Sequence, residues 1–371
     1  MRSVEFIPLA KPMLPDIDQI SRAVNEIVTA RSLTKGRFIR DLEEEVADYF
    51  GVKHVVGVSS CTSGLILALQ AINISPGEVL VPSYTFMATI CALVWNRLTP
   101  VFVDVEPLTA NVDPERVREA ITARTRAIMA VHNHGNPVDL DALLSIANQH
   151  AIPLIIDSAH AMGGIYNGVK LGRQGIAQIF SLSPTKLLVA GEGGLVATDD
   201  SQVAEHIRAG REYGNHGKYC VNRVGLNARM PEFNAALALL GLRTLDHQVE
   251  SRNRTANYYL QRLRRLPGVG FQTVLPRCRS SYKDFVLFID VTESRVSRDA
   301  IAERLRVAGV DCRTYWNPPA HLQLAFNTYA CADDLRVTES LSQRCLAIPI
   351  WSEMPEDVSG YVCSIIEDAF R

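Results

Sequence analysis

Short apolar runs rich in valine and isoleucine recur through the first half of the chain. Between them lie stretches in which apolar residues return every three or four positions. The runs are Val55–Val58, Val79–Val81, Val101–Val105, Ala127–Val131, Pro153–Ile156, Ile179–Leu182 and Leu195–Thr198. Their near-continuous apolar character predicts strands covered on both faces, as in a mostly parallel sheet. Helix starts are readable between them. Asp113-Pro114-Glu115 sets an N-cap acid before a proline at the first helical position, and Asp139–Gln149 puts Leu140, Leu143, Leu144 and Ala147 on one face. The alternation predicts an α/β architecture: a large α/β/α layer built on a mostly parallel seven-stranded sheet.

From Pro231 the pattern turns helical and stays so through Arg265, until Pro267-Gly268 ends it. Beyond that point Asp284–Val291 reads as a strand and Ser297–Ala308 as a helix. Another strand follows, then a final helix over Val358–Phe370. The change predicts a large domain over residues 1–250 and a smaller C-terminal α/β domain over 251–371, with the crossover inside the helix near 245–260. The N-terminal segment is expected to pack on the small domain. No internal repeat or low-complexity tail interrupts this plan.

Composition narrows the class. A chain of 371 residues, 47% hydrophobic, has material for a large core. A formal net charge of −2 gives no reason to expect nucleic acid or an anionic membrane as partner. Eight cysteines are scattered without a C-x-x-C pair, which points to reduced thiols rather than a disulfide framework or a zinc site. The first residues, Met1-Arg-Ser-Val-Glu-Phe-Ile-Pro8, hold no apolar h-region, and no apolar run reaches membrane-spanning length. The expectation is a soluble, cytoplasmic protein.

Chemistry enters at Leu154-Ile-Ile-Asp157-Ser-Ala-His160, at Phe180-Ser181-Leu-Ser183-Pro-Thr-Lys186, and at the turn Gly191-Glu-Gly-Gly194. An aspartate at a strand end together with a lysine in a small, hydroxyl-rich loop is what pyridoxal phosphate requires. The lysine holds the aldehyde as a Schiff base, and the carboxylate keeps the pyridine nitrogen protonated. Each residue alone has a plainer reading: an aspartate there caps the next helix, and a lone lysine is usually on the surface. Ser59-Ser60-Cys61-Thr62-Ser63-Gly64 stands at a strand-to-helix junction, where free N–H groups and the helix dipole suit a phosphate. Phe86 is placed to stack on a flat ring or to fill core, and His160 to lie beside a ring hydroxyl or to serve structure. His132-Asn133-His134 lacks a third ligand at a telling spacing, so no metal is expected.

Taken as a set, these motifs resemble the DegT/DnrJ/EryC1/StrS sugar aminotransferases, which are fold-type-I pyridoxal phosphate enzymes. The resemblance runs from Thr34-Lys-Gly36 to the Pro349 region. It also takes in Thr85-Phe86-Met-Ala-Thr89, Gly225-Leu-Asn227-Ala-Arg229 and Pro318-Pro-Ala-His321. It implies Lys186 as the Schiff-base lysine, Asp157 as partner of the pyridine nitrogen and Phe86 against the ring. Cys61, Thr62 and Ser181 would hold the phosphate, with His160 near the ring hydroxyl. Asn227 would reach the cofactor phosphate of a neighbouring subunit, which implies a homodimer with shared active sites. Tyr213, Arg229 and His321, with the loop Tyr213–Arg223, would lie near the sugar nucleotide.

Two positions depart from the family's habit: Cys61 stands where glycine is usual and His160 where glutamine is common. Lys186 excludes the dehydratase branch, which carries histidine there. The implied activity is transfer of an amino group, with L-glutamate as donor, to a nucleotide-linked keto-sugar. Cys61-Thr-Ser-Gly64, Pro82–Ala88 and Val94-Trp95-Asn96 look most like members that aminate carbon 4 of a 6-deoxy-4-keto sugar. Amination at carbon 3, amination of a cyclitol ketone, and a non-catalytic regulatory protein that binds the cofactor remain as alternatives.

Overall fold

The computed structural model describes residues 6–215, 217 and 219–371. The first part of Met1–Pro8, and His216 and Lys218 of the expected loop Tyr213–Arg223, lie outside the described residues. Two helices, α1 (Ile17–Ala30) and α2 (Arg37–Phe50), precede the sheet. Then come β1 (His54–Val58), α3 (Cys61–Ala71), β2 (Glu78–Pro82), α4 (Met87–Trp95), β3 (Thr99–Val103), α5 (Pro114–Ala120), β4 (Thr125–Val131), α6 (Leu140–Gln149) and β5 (Leu154–Asp157). A small hairpin, β6 (Ile165–Tyr166) and β7 (Val169–Lys170), leads to β8 (Ala177–Ser181), β9 (Gly194–Thr198) and α7 (Ser201–Gly210).

The seven long strands form one sheet in the order β1-β9-β8-β5-β4-β2-β3. Pairs within β8-β5-β4-β2-β3 are parallel, whereas β9 runs antiparallel to both β1 and β8. Side chains alternate between faces, and both faces are buried. Val56, Val79, Ile155 and Ile179 join the core beneath α3, α4 and α7. Their neighbours Val55 and Phe180 pack with α1, α2 and residues 235–249, while Leu80 and Ile156 pack with α5 and α6. The helix starts read in the sequence are formed. Asp113 accepts from the N–H of Glu115 (2.9 Å) ahead of Pro114, and Asp139 accepts from that of Ala142 (3.1 Å).

One long helix was expected from Pro231, and there are two: α8 (Glu232–Leu242) and α9 (Leu245–Leu263). Thr244 makes the break. Its N–H (3.2 Å) and its hydroxyl (3.1 Å) both reach the carbonyl of Gly241, a local bond that competes with helix continuation. Along α9 the packing changes partner. Leu245 and Val249 belong to the core of the large sheet, and Ala256, Tyr259 and Leu263 to a second core. That second core surrounds an antiparallel sheet of β10 (Val269–Phe271), β11 (Phe285–Ile289) and β12 (Cys345–Ile348). It is covered by α11 (Arg298–Val307) and α13 (Glu356–Asp368), with α10 (Val291–Ser294) and α12 (Arg336–Arg344) between. Ile7 pairs with Val310, and Ile350 donates to the carbonyl of Leu9 (3.0 Å), so the described start of the chain lies on this unit.

Because the strands of a parallel sheet point the same way, their C-terminal ends gather at one edge. The turn after β1, the loop after β2, residues 132–134 after β4, Asp157 at the end of β5 and the loop after β8 all collect there. The start of antiparallel β9 meets them.

Candidate active site

A cavity of about 340 Å³ opens at that edge, lined by side chains from each of these loops and by Lys283, Tyr315 and Trp316 from the C-terminal unit. Of the eleven residues expected at the site, seven line it: Cys61, Thr62, Phe86, Asp157, His160, Ser181 and Lys186.

Asp157 ends β5 and is 5% exposed. One carboxylate oxygen accepts from Thr89 Oγ1 (2.8 Å) and the other from the N–H of Ala159 (3.0 Å). Thr89 is itself held by Thr85 (2.9 Å). Burial pushes this carboxyl's pKa up, while those two hydrogen bonds and the charge of Lys186 pull it back. A buried acid in that balance gains most from a cationic partner inside the cavity.

Lys186 sits in the turn after β8, where its N–H donates to the carbonyl of Ser183 (3.0 Å). Burial, followed by the charge of Lys283, lowers its ammonium pKa to about 7. An amine so poised is substantially neutral near neutral pH and able to attack a carbonyl. His160 is pushed well below the ordinary histidine range by burial and then by Lys186 and Lys283, so its imidazole is neutral.

The helix α3 aims its N-terminus into the cavity. Ser60 accepts from the N–H of Ser63 (3.1 Å), and Ser63 Oγ accepts from that of Ser60 (3.1 Å), a capping box. This leaves the first-turn N–H groups of Cys61 and Thr62 without intrahelical acceptors, beside the hydroxyls of Thr62 and Ser181. Gly194 permits the approach. A Cβ there would lie 2.6 Å from Cys61 N and 2.6 Å from the Ser60 carbonyl carbon, so only glycine lets β9 pass under the helix end. Burial holds the Cys61 thiol well above its usual pKa, and it remains protonated.

The other four expected residues lie elsewhere in the chain. Asn227 is exposed and pairs with Glu212 in an isolated bridge. Arg229 is bound to Glu212 (3.1 Å) and lies over the ring of half-exposed Tyr213 (5.5 Å). His321 joins Ser83 Oγ (2.7 Å) to Glu339 (3.3 Å) behind the loop after β2.

The family model for DegT/DnrJ/EryC1/StrS aminotransferases matches residues 16–367. The chain belongs to that family. A dTDP-3-amino-3,4,6-trideoxy-alpha-D-glucose transaminase of Streptomyces venezuelae is 36% identical over 89% of this chain and 87% of that protein. A pleiotropic regulatory protein of Geobacillus stearothermophilus is 32% identical over 95% of each. Among solved structures, DesI in the presence of its TDP-sugar product superposes with a TM-score of 0.93 at 33% identity, covering 99% of this chain and 93% of that one.

In and around this aminotransferase's cavity lie residues that the sequence pattern did not assign to the site. Lys283 enters the cavity from the lead into β11, with buried Asp284 beside it. Trp316 lies with its ring centroid 5.4 Å from that of Phe86 and 6.1 Å from that of His160. His134 is close to Asp284 (3.3 Å), and His134, His160 and Asp284 converge within 4.8 Å. The ammonium of Lys283, 2.6 Å from the same carboxylate, occupies the charge role a cation would take there.

Proposed function

We propose that the protein is a pyridoxal phosphate-dependent aminotransferase that moves an amino group from L-glutamate to a nucleotide-linked keto-sugar, with carbon 4 of a 6-deoxyhexose as the aminated position. The observation that carries this reading is the pairing of buried Asp157 with the depressed-pKa amine of Lys186 in one cavity, beside an open helix N-terminus. When bound, pyridoxal phosphate supplies an aldehyde that carries nitrogen and a ring that accepts electrons.

The residues present fit such a group. Asp157, costly to keep charged alone, would hold the pyridine N–H. The N–H groups of Cys61 and Thr62 and the Ser181 hydroxyl would hold the phosphate. Half-exposed Phe86 would cover the ring, and neutral His160 would donate to or accept from its hydroxyl. Lys186 would hold the aldehyde carbon at rest and, once released, carry the proton between donor and acceptor carbons. Asn227, exposed and away from its own cavity, would complete the site of a second subunit in a homodimer, with Tyr213 and Arg229 at the sugar-nucleotide entrance.

Support for the substrate class comes from the name of the S. venezuelae relative, which concerns a nucleotide sugar, and from the DesI structure with its TDP-sugar product. The S. venezuelae relative is named for a 3-amino sugar. Paired 3-keto and 4-keto nucleotide sugars therefore test the position, and preference for the 3-keto sugar would reverse that choice.

The first experiment is the visible spectrum of the purified protein. A band near ~420 nm that moves to shorter wavelength on adding L-glutamate is the expected result for a lysine-held cofactor reacting with its donor. No band after adding pyridoxal phosphate would remove the assignment of Lys186 and Asp157. A band that no amino donor moves would favour a non-catalytic regulatory protein.

A further inference from the structure

Any amino donor with an α-carboxylate brings a negative charge into a confined, largely apolar space, one bond away from the carbon whose nitrogen is transferred. Such a charge needs a cation close to Lys186. No arginine lines the cavity among the described residues, and the basic side chains there, histidines aside, are Lys186 and Lys283. Lys186 is committed to the aldehyde and to proton transfer. His132 and His160 are held neutral by burial.

Lys283 remains, and it is built in from several sides. It is 5% exposed, and its ammonium bonds Asp284 Oδ1 at 2.6 Å. The other oxygen of Asp284 faces His134 (3.3 Å) and His160 (3.7 Å). The backbone around Lys283 is clamped as well. Fully buried Arg252 from α9 donates to the carbonyls of Tyr282 (3.2 Å) and Lys283 (3.1 Å). Ser281 Oγ donates to the carbonyl of His160 (2.6 Å), and Asp284 N–H to that of His134 (3.3 Å). An ammonium has three protons, and Asp284 takes one. The others are available on a side chain that lines the cavity.

We propose that Lys283 binds the carboxylate of the amino donor, with Asp284 and Arg252 as the residues that position it. The proposal rests on the aminotransferase reading above. Depth selects carboxylate over the other anion at hand, the diphosphate of a sugar nucleotide. That diphosphate hangs from carbon 1, two or three ring carbons from the aminated position, and so belongs nearer the mouth. A carboxylate adjacent to the reacting carbon belongs beside Lys186, whose pKa is depressed first by burial and then by the nearby charge of Lys283.

The test separates the two arms of the reaction in the holoenzyme. Lys283→Gln, checked for its cofactor band and thermal melt, is titrated spectroscopically with L-glutamate and with 2-methylglutamate, which lacks the α-hydrogen and binds without turning over. The amine-loaded form is then mixed with the keto-sugar nucleotide in single turnover. Expected is a rise in the apparent Kd for both amino acids of about tenfold to a hundredfold, with the sugar arm changed less than about threefold.

Because Lys283→Gln strands a buried carboxylate, the doubly neutral Lys283→Gln/Asp284→Asn variant carries the same measurement and the same expectation. Unchanged amino-acid affinity, equal loss in both arms, or loss confined to the sugar arm overturns the proposal; the last result would move Lys283 to the diphosphate. Wild-type protein that shows no cofactor band overturns the aminotransferase reading, and this inference with it.

Discussion

At the scale of single residues, the cavity is a set of charges held away from their ordinary states. Lys186 illustrates the consequence for stability. Its folded-state pKa is lowered from 10.5 to about 7, mainly by burial. In the protein without cofactor, both the folded and unfolded states carry the proton below pH 7, so the cost of burying that charge is felt in full. Between about 7 and 10.5 the unfolded chain binds a proton that the folded chain has released, and stability must rise with pH. Above that range the penalty is gone. Apo wild-type protein should therefore gain stability against denaturant from pH 7 to 9 relative to apo Lys186→Met. Parallel curves for the two proteins would show that the amine is not perturbed as described.

At the scale of elements, the parts of the site differ in how legible they were. Asp157 could be read because it ends an Ile-rich run, and Lys186 because it follows the next apolar run in a small, hydroxyl-rich turn; the edge of a parallel sheet makes these strand ends neighbours. The Ser59–Gly64 turn was legible for the same reason. Lys283 and Asp284 were not, since nothing local in Ser280–Phe285 signals that Arg252 and the His134 and His160 loops hold that segment against the first sheet. The split of the expected helix at Thr244 was also hidden, because a single threonine hydroxyl closing on Gly241 leaves the apolar periodicity intact.

Glu232 shows the same long-range logic in the scaffold. Although it opens α8, this 1%-exposed carboxylate accepts from the N–H groups of Gly36 (2.9 Å), Phe38 (2.9 Å) and Ile39 (3.2 Å), and so caps α2 from far along the chain. Glu232→Ala leaves three buried donors without their acceptor and should cost on the order of 2–4 kcal/mol, with Glu232→Gln costing less. Urea denaturation measures both. A loss below about 0.5 kcal/mol in the alanine variant would mean that the cap contributes little.

At the scale of the whole molecule, one chain brings together a lysine, an acid, a helix end and a donor-side cation, yet leaves Asn227 exposed and outside its own cavity. The boundary near residue 250 that we propose puts Lys283 on the smaller unit and Lys186 on the larger, so the cavity joins both. If Asn227 serves a partner's site, each active site draws Lys186 from one subunit and Asn227 from the other. Two inactive proteins, Lys186→Ala and Asn227→Asp, then carry complementary defects. When they are mixed in equal amounts and allowed to exchange subunits, half of the dimers are hybrids. In each hybrid one site has lost both residues and the other has both intact. The mixture should recover about a quarter of wild-type activity, as random pairing in a two-fold dimer requires. If subunit exchange is demonstrated by a tag on one variant and activity stays at the level of the parents, Asn227 acts within its own chain, and the shared-site dimer is wrong.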